Sequence, residues 1–159
     1  MRKTLLPLAS LFLFSFSLAG EKAERTILGG DAEQIVKGSK SIWYNDISNV
    51  PSFIVMQPGY DLRANTTFQE VKDALKISEN DDFQLINTQS DKLGYQHLRF
   101  QQYFRGIKVT DGIYILHTKN GQVNSLNGYF VEGLTHSGVA SISESSALDN
   151  ALAYIGADL

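Results

Sequence analysis

Leu93 to Gly128 reads LGYQHLRFQQYFRGIKVTDGIYILHTKNGQVNSLNG, and that pattern constrains the fold more than any other part of the chain. It reads as three β-strands joined by two glycine turns. Tyr95 to Phe104 divides by parity. Leu98, Phe100 and Phe104 point one way, and His97, Arg99, Gln101 and Tyr103 the other. This is the signature of a half-buried antiparallel strand. Arg105-Gly106 turns the chain, and Gly112 permits a bulge or tight bend in the next segment. Ile113 to Thr118 is apolar on both faces, so this strand should lie centrally in a sheet. Asn120-Gly121 is a strong short hairpin signal, because both residues tolerate positive φ. Val123 to Val131 is the returning strand. Gly94, Gly106, Gly112, Gly121 and Gly128 are the expected structural turn positions.

Upstream, Val50 to Met56 is an apolar run entered through Pro51, which suits an edge strand. Thr67-Phe68-Gln69-Glu70 has capping-box spacing. Phe68, Val71, Ala74 and Leu75 then form one apolar face of a helix over about 67–77. The sequon Asn65-Thr66-Thr67 reads simply as part of that helix start. Phe83 to Thr88 alternates as a further strand. Residues 20–49 are weakly periodic, with turn signals at 29–31 and 37–41. Two readings stay open there: an extended arm pinned by Trp43 and Tyr44, or a flexible leader. Downstream of Gly133 the chain becomes small and polar, a linker over 134–142. Ser143 can then cap a second helix with Ala147, Leu148, Ala151, Leu152 and Ile155 on one face.

Residues 1–19 read as a signal peptide. Arg2 and Lys3 precede an apolar run over Leu5–Leu18, and Ser17 and Ala19 place small residues at −3 and −1 of a cut after Ala19. A span needs roughly 20 apolar residues, more than this run supplies. The mature chain is therefore expected to be secreted or periplasmic, with no membrane attachment. Losing Arg2 and Lys3 takes the net charge from −3 to about −5. No basic block remains to bind nucleic acid. With no cysteine, there is no disulfide staple, and stability must come from a core. A chain of this size buries roughly two-thirds of its surface, enough for one modest domain.

No catalytic set is present. HExxH, a Gly-rich phosphate loop, a nucleophile elbow and a cysteine nucleophile are all missing from the sequence. His97 and His117 fall on different strands and could approach one another, but no carboxylate at matching spacing supports a metal site. The strip His97-Arg99-Gln101-Tyr103 is the sharpest polar feature. It either clamps a partner's carboxylates or backbone, or is a solvated sheet face with Arg99 paired internally.

The run Arg99-Phe100-Gln101-Gln102-Tyr103-Phe104-Arg105-Gly106-Ile107-Lys108-Val109, followed by Gly112, Asn120-Gly121 and Gly128, resembles the fungalysin/thermolysin propeptide (FTP) domain. That domain lies in the N-terminal pro-region of secreted zinc metalloproteases. Val50-Pro51-Ser52-Phe53-Ile54 and Asp91-Lys92-Leu93-Gly94 are similar to thermolysin-type pro-regions. Ile142 to Ala147 is similar to the opening of a PepSY domain, the second module of such pro-regions. Lys108 stands where proline is often found.

The resemblance implies a signal peptide (1–19), a leader (20–49), an FTP domain (50–133), a linker (134–142) and the first helix of a truncated PepSY-like domain (143–159). The expected fold is α+β: a curved antiparallel sheet of about four to five strands with a helix packed on one face, a cystatin-like layout. The expected role is that of a pro-region, not an enzyme. It would assist folding of a thermolysin-like catalytic domain and inhibit it by non-covalent binding. Arg99, Gln101 and Tyr103 are the expected contacts, with Tyr114 and Tyr129 as aromatic candidates. Zinc and calcium are expected only in that catalytic domain, so no cofactor is expected here. Two other readings stay open: a free-standing secreted binding module or inhibitor, and a fragment of a longer precursor.

Overall fold

The computed structural model describes residues 24–157. The signal-peptide reading of residues 1–19 lies outside them. One sheet of seven antiparallel strands organises the chain, in the order β1-β2-β3-β7-β6-β5-β4. Strand β1 (Arg25–Leu28), helix α1 (Gly29–Ile35), β2 (Ser39–Tyr44) and β3 (Phe53–Met56) build one side. The chain then crosses to the far edge through the short helices α2 (Thr67–Glu70) and α3 (Lys72–Leu75). It returns as the meander β4 (Asp81–Ser90), β5 (Tyr95–Phe104), β6 (Ile107–Lys119) and β7 (Gln122–Tyr129), and β7 closes the sheet against β3.

Directly opposed residues share a face of a sheet, so the register defines rows across all seven strands. One row runs Ile27, Ile42, Ile54, Leu126, Leu116, Leu98 and Thr88. Within it Ile42, Ile54, Leu126 and Leu116 are fully buried. Ala32 and Val36 beside β2, and Val71 and Leu75 from the crossing segment, join them in one core with Tyr114, Val123 and Phe130. Phe68 stacks on Phe83 at 3.9 Å and meets Phe100 edge-on at 5.0 Å, which ties the crossing helices to the outer strands.

Several sequence expectations need correction. The sheet has seven strands, not four or five, because residues 25–44 form a strand–helix–strand unit inside it. Their alternation is short, but Ile42 and Tyr44 are buried while Trp43 faces the other way. The boundary expected at residue 50 does not interrupt the sheet. β3 is interior, not an edge: Pro51 precedes the strand, so its missing N–H is not needed by the ladder, and its carbonyl accepts from the Tyr114 hydroxyl. The helix over 67–77 is broken at Val71, and Thr67 is not its cap. Thr67 is buried inside the first turn and donates to the Arg63 carbonyl at 2.8 Å. The β-branched Val71 sits at the junction and is fully buried. Packing therefore settles this segment, and the apolar face read from the sequence survives without a continuous helix. The cystatin-like arrangement of one helix on a small sheet gives way to an open sheet with several short helices.

The Asn120-Gly121 turn joins β6 to β7 as expected, with φ of 53° and 77°. Gly94 and Gly106 also lie in turns, whereas Gly112 and Gly128 lie inside β6 and β7. A Cβ at Gly128 would sit 2.1 Å from the Ile113 carbonyl, and one at Gly112 would sit 2.5 Å from Gln102 Oε1. Both are glycines of close approach.

Helix α4 (Glu144–Ile155) is capped as expected, with Ser143 Oγ accepting from Ser146 N–H at 3.1 Å. It has no buried residue, and Leu148, Tyr154 and Ile155 are exposed. Among the described residues no helix is long and apolar enough to cross a membrane.

Candidate functional site

The core occupies one face of the sheet. The opposite face carries a second row, offset by one residue on each strand: Thr26, Trp43, Phe53, Asn127, Ile115, Arg99 and Asn87. Trp43 and Phe53 pack edge-to-face with centroids 5.1 Å apart. None of the seven belongs to the core. The neighbouring row holds Val55, Ser125, His117, His97 and Gln89. These two rows include no carboxylate, although the chain as a whole is acidic. They combine an aromatic pair, aliphatic side chains, one guanidinium and two imidazoles. A sheet face of this composition suits a partner's surface better than open water.

Arg99 sits near the middle of the β4–β5–β6 ladder, exposed, between Asn87 and Ile115. Among the described residues it has no ion-pair partner, so the guanidinium is not neutralised internally. Tyr103 and Tyr129 are half-buried at the rim, Tyr103 opposite Asp82 and Lys108, and Tyr129 opposite Ile113.

Two expected contact residues are buried. Gln101 is 2% exposed, and its Nε2 donates to the carbonyls of Val109 (2.6 Å), Gly112 (3.0 Å) and Gln102 (3.1 Å). A register shift between Gln101 and Tyr103 explains this. The irregularity leaves carbonyls of β6 without ladder partners, and the amide fills them. Gln102 does the same on the core face. It donates to Asp81 Oδ1 and the Val131 carbonyl and accepts from Val131 N–H at 3.0 Å. Tyr114 is the second: it points into the core, fully buried, and burial pushes its phenol pKa up. Neither residue changes face: Gln101 keeps the side of Arg99 and Tyr114 the side of Leu116, so parity placed the faces but could not show that the backbone carbonyls at the irregularity draw the Gln101 amide in.

His97 and His117 are directly opposed, with their Nδ1 atoms 2.6 Å apart. The outer nitrogens are engaged as well: His97 Nε2 with Asp91 Oδ2 at 3.3 Å, and His117 Nε2 with Asn127 Oδ1 at 2.6 Å. Asp91 is itself fixed by the N–H groups of Tyr95 and Leu93, and by His97, which hold its carboxyl below the usual range. The Nδ1 contact matches a shared hydrogen. Two nitrogens on one tetrahedral zinc, each at about 2.0–2.1 Å, would stand farther apart. No group of three or more metal-ligating side chains occurs among the described residues. Sequence reading missed the Trp43–Phe53 pair. The signal was there in the alternation of Trp43 with Ile42 and Tyr44 and in the strand read at Val50–Met56, but nothing local says that these two segments pair.

Residues 81–130, from the start of β4 to just past β7, match the Fungalysin/Thermolysin Propeptide Motif family. The chain is 30% identical over 105 residues to thermolysins of Alicyclobacillus acidocaldarius subsp. acidocaldarius, Bacillus caldolyticus and Bacillus sp. (strain EA1), which is 60% of this chain in each case. It spans 19% of the length of each of these relatives. The meander β4–β7, which carries Arg99 and the histidine pair, is thus the part of the chain similar to the FTP propeptide motif, within a stretch of similarity to thermolysins that covers 60% of the chain.

Proposed function

We propose that this chain is the pro-region of a secreted thermolysin-like zinc metalloprotease. It binds the catalytic domain non-covalently, assists its folding and holds it inactive until removed. The FTP motif on the meander carries this reading, since those strands supply most of the uncovered sheet face. Arg99 anchors the contact, with Tyr103 and Tyr129 beside it and Trp43–Phe53 extending it across β2 and β3. Gln101 and Tyr114 act from within, holding the strands that present the face. Zinc and calcium belong to the catalytic domain. The exposed helix α4 opens a PepSY-like second module, and its apolar side packs on the rest of that module in a complete precursor. Residues 1–19 direct export.

The test is trans-complementation. Residues 20–159 are added to a denatured thermolysin-like catalytic domain, and recovered peptidase activity is followed with and without Arg99→Ala. Chain-dependent recovery that falls in the variant supports the reading. No recovery from a well-folded chain overturns it and favours a free-standing binding module.

A further inference from the structure

The sheet has two edges, and they are built differently. β1 is four residues long, and its Arg25 guanidinium lies 3.9 Å over the Tyr44 ring. β4 is ten residues long, about 33 Å of strand at the usual rise. It pairs only with β5. Alternate backbone N–H and C=O groups along its outer side therefore lack a ladder partner.

Natural edge strands are usually blunted by lysine, proline, a covering loop or a bulge. From Phe83 to Ser90 the sequence FQLINTQS has no charge, proline or glycine. Only Asp81 and Phe83 are even partly covered; the other eight residues are exposed. The one blunting device on this edge is the irregularity between Leu85 and Asn87 at mid-strand, but it leaves Leu85 and Ile86 52% and 50% exposed. An uncharged edge with an apolar centre is a template for one more strand.

We propose that β4 pairs antiparallel with β4 of a second copy of this chain, about a two-fold axis near Ile86. The strand is complementary to itself in that direction only. Antiparallel pairing brings the Leu85-Ile86 pairs of both copies together at the axis. It also lays Asp81-Asp82 of each copy against the neutral Gln89-Ser90 end of the other. Parallel pairing would align the aspartates. With no charge between Phe83 and Ser90, nothing selects a foreign strand by electrostatics. The contact is isologous, so one strand supplies both halves of it. Both sheets then become continuous, with the two uncovered faces side by side.

Sedimentation equilibrium of residues 20–159, which hold the whole described fold, should show a concentration-dependent monomer–dimer equilibrium. Ile86→Lys places a charge at the axis and should weaken association about tenfold or more. The chain has no cysteine, so Ile86→Cys gives a clean second readout: oxidation should yield a covalent dimer, while Leu28→Cys on the opposite edge should not. The cysteine pair decides the matter if Ile86→Lys fails to fold. A chain that stays monomeric at about 200 µM, the upper range of ordinary weak association, overturns the proposal. So does a dimer indifferent to Ile86→Lys, or crosslinking at Leu28 equal to that at Ile86.

Discussion

Two adjacent rows of side chains cross the same seven strands, one residue apart, and meet opposite fates. The row through Ile42, Ile54, Leu126 and Leu116 is sealed beneath helices. The row through Trp43, Phe53, Ile115 and Arg99 has no cover among the described residues. Backbone pairing is common to both, so hydrogen bonding cannot account for the difference. What differs is the crossing segment between β3 and β4, which lies over one face only. The uncovered row is still bulky and aromatic, unlike a face meant only for water. Stability should therefore reside in one row and recognition in the other, and each can be broken separately.

The largest effect is expected from Leu126→Ala. It leaves a cavity between Ile54 and Leu116 and should cost about 2–5 kcal/mol in urea denaturation. Ile115→Ala, one residue away on the neighbouring strand but on the other face, should cost less than about 1 kcal/mol, because it leaves a surface dent. Similar losses at the two positions would refute the division. Gly128→Ala comes next, at about 1–3 kcal/mol. Its new methyl meets the Ile113 backbone, which cannot turn aside like a flexible side chain. Gln102→Ala belongs in the same range, about 1–3 kcal/mol, because Val131 and Asp81 lose their partner in a buried site. A chevron or urea midpoint measures each.

A smaller effect comes from acid. The Lys76 ammonium, 2.7 Å away, and the Asn49 N–H hold the Glu132 carboxyl below its ordinary range. A carboxylate depressed by folding stabilises the fold above its unfolded pKa, and that contribution is lost as pH falls through the folded value. Both side chains are partly exposed, so the gain is under about 1 kcal/mol. Glu132→Gln should flatten that part of the acid limb of a stability–pH curve. An unchanged slope would place the titrating group elsewhere.

The meander was legible in the sequence because each of its signals is local. Parity in Tyr95–Phe104, the Asn-Gly turn and the apolar run at Ile113 each need only neighbours in sequence. The burial of Gln101 was not legible, because it depends on the carbonyls that β6 offers at the register shift. Nor was the membership of residues 25–44. β1 and β2 are short, and their place in the sheet is decided by β3 and β7, far along the chain. The same applies to the break at Val71, where burial outweighed a run that scans as one helix. Of the candidate site, alternation put Arg99 and Tyr103 on one face, while Tyr129 entered only as an aromatic candidate. Trp43 and Phe53 needed the long-range pairing.

The smallest effect on stability, and the sharpest on recognition, is expected at Arg99. Its guanidinium touches no carboxylate within the described fold, so Arg99→Ala should leave the melting temperature nearly unchanged, within about 0.5 kcal/mol. The single tryptophan of the chain, Trp43, stands in the same row. Its fluorescence therefore reports on the face without a label. Docking of a thermolysin-like catalytic domain should shift Trp43 emission to shorter wavelength as water leaves the ring. In Arg99→Ala the same shift should need about tenfold more partner, as for loss of one charge-assisted contact. A shift that ignores Arg99 would move recognition to the β2–β3 side. A binding event that leaves Trp43 unchanged would remove the open face from the interaction altogether.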